Sequence, residues 1–220
     1  MKKVNLDFCD FRKLIPIEEI EYSGVLKGKN VIFILMESVN DIFEEYPEYY
    51  PNFNKMVTEG WNYKNNYSPR NACATLNNEF SGTTSLYSIH SLCTAKKYRN
   101  NAYPESVFGV FNDAGYTTFS SHNYTEAYYP RKSIHTSMGS QEYYGVQKLG
   151  IPYSNEYVNW SNDDDFMEAI LKIIDKKTED NDKPFMAWLT TVSAHQPYSV
   201  NSIQGDKYFN MTNKTNLPYD

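Results

Sequence analysis

An α/β domain, with a mostly parallel central sheet flanked by helices, is the fold class this sequence predicts, on three observations. Stretches that read as strands recur at 31–36, 116–120 and 185–192. Stretches with helical spacing of apolar residues fall between them, at 51–60, 105–114 and 163–177. No internal repeat and no Pro- or Gly-rich linker divides the chain. Strands that alternate with helices favour crossover connections and parallel pairing. At 220 residues, the length suits one substantial domain with a well-filled core.

Residues 1–23 read as a lead-in arm, and the domain proper is expected to begin at 24. The run 31–36, Val-Ile-Phe-Ile-Leu-Met, is uninterrupted and apolar, which predicts a strand buried on both faces of a parallel sheet. Glu37 follows at once. In open α/β sheets ligands gather beyond the carboxyl ends of the strands, so an acid at that edge is placed to meet one. After an acidic, aromatic stretch, 51–60 has Pro51 at its start, Phe53, Met56 and Val57 at helical spacing, and Gly60 at its end, which predicts a short helix. Residues 61–68 are Asn- and Tyr-rich, a loop or edge strand, and Thr75 sits where the next helix begins. In 105–114, Val107, Phe108, Val110 and Phe111 share one helix face that stops at Gly115; strand 116–120 follows, with His122 just past it. Residues 123–150 are irregular apart from a short helix near 131–138. The run 163–177 is the clearest amphipathic helix, with acids in its first turn and lysines in its last, as the helix dipole favours. Pro184 opens the last strand, 185–192, and His195 follows it.

Composition excludes several partners. A net charge of -6 and a pI near 5.3 leave no basic stripe to displace the counterions of a nucleic acid, so no nucleic-acid partner is expected. No segment reaches the roughly 20 apolar residues that a bilayer requires, and the first residues lack a signal-peptide core. As given, the chain reads as a soluble piece. Cys9, Cys73 and Cys93 lack zinc-ligand spacing and are odd in number. A Cys73 to Cys93 bridge is conceivable, but buried free thiols are the expectation.

Three strand ends therefore deliver Glu37, His122 and His195 to one edge of the sheet, and a helix start delivers Thr75. A hydroxyl becomes a useful nucleophile when a divalent cation lowers its pKa, and the same cation stabilises charge on a phosphoryl oxygen. Glu37 and an alkoxide are hard oxygen ligands, suited to Mn or Mg. Each residue alone also has a plain reading: Thr75 as a helix cap worth about 1 kcal/mol, the histidines as surface or hydrogen-bonded side chains.

Four blocks in order, from Gly28 through Glu37 to Ser38, from Pro51 to Lys55 with Glu59 and Gly60, from Thr75 to Phe80 with Ser85 to Tyr87, and from Val192 to Tyr198, resemble the lipoteichoic acid synthase family over most of residues 24–200. These are sulfatase-like phosphoglycerol transferases of the alkaline phosphatase superfamily. The resemblance implies an outward-facing catalytic domain at the extracellular face of the cell membrane, normally tethered by transmembrane helices absent from this chain. It would move the phosphoglycerol head group of phosphatidylglycerol to a glycerol phosphate polymer through a phosphothreonine-type intermediate. Carried over, Glu37 is a metal ligand and Thr75 both nucleophile and metal ligand, with Mn as the first choice of cation and Mg the second. His122, Tyr129, Arg131 and His195 would surround the head group, with Tyr129 standing where Trp is usual. Arg131 is expected to grip phosphate through two parallel hydrogen bonds.

The departures are specific. Leu76-Asn77-Asn78 stands where Ser-Asp-Ala is common, and Tyr124 replaces an Asp near the glycerol site, which leaves the head group open. No Asp-His pair occurs to complete the metal shell, so the chain is expected to be C-terminally incomplete and, alone, short of the full set for turnover. A phosphoethanolamine transferase is a related alternative; a sulfatase is disfavoured because no Cys/Ser-x-Pro-x-Arg motif occurs. The non-enzymatic alternative is a domain that binds glycerol phosphate or cell-wall polymer without turnover.

Overall fold

The structure, a computed structural model, describes residues 24–39, 42–68, 72–154, 156, 160–179 and 182–196. The expected lead-in arm, Cys9, Pro197 and Tyr198 lie outside them. In chain order the elements are β1 (Val31–Leu35), α1 (Ile42–Glu45), α2 (Pro51–Glu59), α3 (Ala74–Thr84), α4 (Thr94–Lys97) and α5 (Val107–Asp113), then β2 (Thr117–His122), α6 (Arg131–Ser137), β3 (Glu142–Tyr144), α7 (Val146–Leu149), α8 (Asp163–Glu179) and β4 (Phe185–Thr190). All four strands pair in parallel, in the order β1-β4-β2-β3. The expected parallel α/β sheet is therefore present, and residues 61–68 are loop.

β4 lies in the middle and is buried along its whole length. Its side chains alternate between two cores, as the two-residue period of a strand requires. Phe185, Ala187 and Leu189 pack with Phe119, Phe166 and Ile170 beneath α8. Met186 and Trp188 pack on the other face with Leu76, Phe80, Phe108, Ile134 and Met138 from α3, α5 and α6. Gly82 of α3 is needed for that approach: a Cβ there would stand 3.0 Å from the Trp188 ring.

The expectation that 31–36 is buried on both faces fails. Val31, Phe33 and Leu35 pack into the second core, but Ile32 and Ile34 are 45% and 49% exposed. β1 is an edge strand, and the first core, drawn from β2, β3, β4, α7 and α8, takes no residue from it. A continuous apolar run has the same sequence signature whether one or both of its faces are covered.

Register positions the site. Leu35 pairs with Thr190, and Thr190 pairs with His122, so the carboxyl ends of three strands finish in one row. His122 is the last residue of β2 rather than a residue beyond it. Among the described residues, no helix is long and apolar enough to cross a membrane.

Phe166 is fully buried where α8 meets the sheet. Replacing it with Ala is expected to cost about 3–5 kcal/mol, read as a lower denaturant midpoint.

Candidate active site

Thr75 is the second residue of α3, and its Oγ1 donates a hydrogen bond to Glu37 Oε1 at 2.7 Å. Glu37 is fixed in turn by its own backbone: its N–H donates to Thr191 Oγ1 at 3.0 Å, just past the end of β4. Residues 38 apart in sequence thus meet at the carboxyl edge of the sheet.

The start of α3 is anchored from a second side. Cys73, which precedes the helix with φ 56°, is bonded to Cys93, which precedes α4, with their Cα atoms 5.3 Å apart. This corrects the expectation of free thiols. Asn77 shows why the two chain segments meet: fully buried, it donates to Leu92 O at 2.8 Å and to Ala72 O, while its Oδ1 accepts from Thr94 N at 2.9 Å. An Asp here would supply no donor for either carbonyl.

Below Thr75 lies Glu79, one helical turn away and only 1% exposed. Arg131 Nε donates to its Oε2 at 2.7 Å, Thr190 Oγ1 to its Oε1 at 2.7 Å, and Trp188 Nε1 to Oε1 at 3.2 Å. His135 Nε2 also stands 3.2 Å from Oε1, off the line of a hydrogen bond. Burial alone would raise the Glu79 pKa, but the Arg131 and His135 charges outweigh it and hold the carboxyl well below its ordinary 4.5. Arg131 continues the chain of contacts. Its Nη1 lies 2.8 Å from His122 Nδ1 and 3.2 Å from Nε2. A guanidinium only donates, so the ring nitrogen that accepts is unprotonated and His122 is neutral. Burial and the Arg131 charge hold the His122 pKa well below 6.5, against the opposing pull of Glu79.

Glu37, Thr75, His122, Tyr129, Arg131 and His195, named from the sequence, all line one pocket of about 330 Å³ with Tyr124, Tyr128 and Trp160. Arg131 differs from expectation in one respect: it is a buried group with Nε and Nη1 already engaged, not an open fork. His195 is exposed, with its ring 5.1 Å from that of Trp160. Tyr124, where an Asp was looked for, packs against Tyr128, Tyr153 and Trp160 at ring distances of 5.2–5.3 Å. Burial, with help from Tyr153, pushes its hydroxyl up to about 12. A larger groove, of about 560 Å³, opens around Thr117, Glu142, Lys148 and Lys177 and contains none of the expected site residues.

Sequence reasoning missed three residues. Glu79 reads as one more polar residue in Asn-Asn-Glu; its signal lay in Trp188 and Thr190, polar donors on a strand too apolar to leave them unpaired. Trp160 falls in an irregular stretch. Asp163 was read only as a first-turn acid, yet its Oδ1 accepts from Val192 N at 2.9 Å and Asn123 Nδ2 at 2.8 Å, and its Oδ2 from Ser193 N at 2.8 Å. It ties together the loops beyond His122 and before His195.

The Glu37 and Thr75 oxygens fit a hard divalent cation in type and spacing. Among the described residues, however, no group of three or more His, Cys, Asp or Glu side chains gathers to hold one.

A family model described as Sulfatase matches residues 29–217. The chain is 23% identical over 194 residues to lipoteichoic acid synthase 2 of Bacillus subtilis (strain 168), covering 86% of this chain and 29% of that protein. Among solved structures it is similar to the lipoteichoic acid synthase LtaP from Listeria monocytogenes, with a TM-score of 0.71 and 21% identity over 91% of this chain and 47% of that one. The Streptococcus pyogenes phosphoglycerol transferase GacH, in complex with sn-glycerol-1-phosphate, gives a TM-score of 0.54 and 19% identity over 79% of this chain and 47% of that one. A Vibrio parahaemolyticus protein in the alkaline phosphatase superfamily gives 0.64 and 19%, over 79% and 42%. The chain thus spans less than half the length of each of these relatives.

Acid is expected to weaken the fold by two routes with the same sign. The low pKa of Glu79 stabilises the fold above 4.5, and that contribution is lost as pH falls through the lowered folded-state value. Below about 6.5 the unfolded chain takes up a proton that buried His122 refuses, which also favours unfolding. Thermal unfolding midpoints should therefore fall from about pH 7 to about pH 5 through His122 and fall further below about pH 4.5 through Glu79; a profile flat between about pH 7 and about pH 5 contradicts the assignment of His122. Reducing the Cys73–Cys93 bridge, which spans 20 residues, should cost about 3 kcal/mol in denaturant unfolding.

Proposed function

This chain belongs to the sulfatase family, and we propose that it is the front part of the catalytic domain of a phosphoglycerol transferase of the lipoteichoic acid synthase type. The observation that carries this reading is the 2.7 Å contact between Thr75 Oγ1 and Glu37 Oε1 at the carboxyl edge of the sheet. The relatives named as a lipoteichoic acid synthase and a phosphoglycerol transferase support phosphoglycerol transfer; phosphatidylglycerol as donor and a glycerol phosphate polymer as acceptor complete the proposal.

In this reading Thr75 is the nucleophile. Its Oγ1 forms a bond to phosphorus as its proton leaves, the phosphorus bond to the diacylglycerol oxygen breaks, and that oxygen takes up a proton. A polymer-end hydroxyl then attacks phosphorus, losing its proton, the bond between phosphorus and Thr75 Oγ1 breaks, and Oγ1 takes up a proton to restore the hydroxyl. Glu37 and Thr75 would hold a divalent cation, Mn first and Mg second, in company with further ligands; when bound it lowers the hydroxyl pKa and offsets charge on the phosphoryl oxygens. The chain's own groups do the positioning. α3 begins without a side-chain cap at a point where Ala74 and Thr75 line the pocket, so its partial positive end favours an anion there. His122, neutral, has one ring proton to donate, and His195 stands beside Trp160 at the mouth to meet the departing or arriving hydroxyl. Tyr124, Tyr128, Tyr129 and Trp160 give the pocket an apolar wall that screens the reacting phosphorus from water.

A location at the extracellular face of the membrane belongs to the same reading, with the whole protein tethered. The Cys73–Cys93 bridge supports it, because disulfides persist in oxidising compartments.

In the full-length protein, incubation with phosphatidylglycerol and Mn should leave a phosphoglycerol adduct on Thr75, detected by mass spectrometry. Thr75→Ala should remove the adduct and lower transfer by about 10⁴-fold or more. Binding of glycerol phosphate with no adduct on the wild-type protein supports a binding domain instead, and turnover retained in Thr75→Ala dismisses the nucleophile.

A further inference from the structure

Glu79 is a buried carboxylate that the bond-making steps do not call upon. α3 could rest on β4 with an apolar side chain at that position, and a buried ion is retained at a net cost unless its partners are well placed. Three donors, Arg131, Thr190 and Trp188, converge on Glu79, and one of them leads on to the pocket. Because Arg131 Nε is taken by Glu79 Oε2 at 2.7 Å, the plane of the rigid guanidinium is fixed. Its Nη1 is then aimed at His122, 2.8 Å from Nδ1, on the wall of the pocket. Glu79 also sits one helical turn from Thr75, so a single helix carries both the nucleophile and the group that orients the far wall.

We propose that Glu79 is a positioning residue for the transfer reaction, acting through Arg131 to hold the His122 ring in one orientation toward the phosphoryl group. This rests on the phosphoglycerol transfer reading. It gives Arg131 a different task from an open phosphate clamp: with Nε and Nη1 committed, it serves as the strut between Glu79 and His122.

The test is a double-mutant cycle in the full-length protein, with Glu79→Gln, His122→Ala and the two combined. Transfer from phosphatidylglycerol, binding of sn-glycerol-1-phosphate and thermal unfolding are measured for each. Gln keeps the shape of Glu and still accepts from Arg131, but the charge that orients the guanidinium is gone. Glu79→Gln should lower kcat/KM by about 10- to 100-fold when His122 is present and by less than about threefold when it is Ala, since small misplacements of a working group carry losses of that size. A purely structural role would give the same fold-loss in both backgrounds, and that result overturns the proposal. Should Glu79→Gln fail to fold, Glu79→Asp, one methylene shorter with its charge kept, runs the same cycle; failure of both to fold assigns Glu79 to structure alone and also overturns it. Wild-type protein that binds glycerol phosphate with the expected coupling but transfers nothing removes the transfer reading and leaves Glu79 in place. Intact transfer with uncoupled losses removes Glu79 alone, and neither transfer nor binding in the wild type removes both.

Discussion

The structure depends on one buried ion pair, Glu79 with Arg131. Each residue is 1% exposed, and a carboxylate or guanidinium in that setting without its partner would cost several kcal/mol. The pair therefore exists only if α3, α6 and β4 close on one another together, because Glu79 comes from the first, Arg131 from the second, and the supporting donors Trp188 and Thr190 from the third. Such an arrangement adds little net stability over a well-packed apolar cluster. Its effect is specificity of placement: α3 cannot rotate or slide without stranding a charge. With α3 locked, Thr75 is delivered to the carboxyl edge of the sheet, at the place where Glu37 leaves β1.

The sheet does the complementary work. Leu35, Thr190 and His122 stand abreast in register, so Glu37, Thr191 and Asn123 all emerge within one strand-width or two of each other. Asp163 fastens two of these exits by accepting from the backbone after β4 and from Asn123. The loops at this edge are thus held from below by buried polar groups, and the pocket walls can be polar and aromatic without loss of definition. On the side of Thr75, the disulfide and Asn77 do the same for the start of α3.

Much of this was legible in the sequence. The residues at strand ends, Glu37, His122 and His195, announce themselves because a two-residue or continuous apolar pattern stops just before a polar side chain, and Thr75 because a helix begins there. What was not legible shares one physical cause: burial on a helix or strand is decided by neighbours that sequence spacing does not reveal. α3 buries Asn77, Glu79, Thr83 and Thr84 beside Leu76 and Phe80, so its inward face is not an apolar stripe and gives no periodic signal. β1 gave the reverse error, an apolar face that is exposed at the edge of the sheet. The pairing of Cys73 with Cys93 depends on the Asn77 contacts that bring two helix starts together, a relation that an odd count of cysteines obscures. Arg131 was singled out through the family resemblance of the segment 122–131 and lines the pocket, but its partner Glu79 could not be inferred from it.

The central claim is that Glu79 keeps Arg131 while the site is in use. A crystal structure of the full-length protein with sn-glycerol-1-phosphate bound tests it most directly. The phosphate is expected beside Thr75, with Arg131 Nε still within hydrogen-bond distance of Glu79 and His122 still against Nη1. An Arg131 that has swung off Glu79 to fork the phosphate, leaving the carboxylate to other donors, would contradict it.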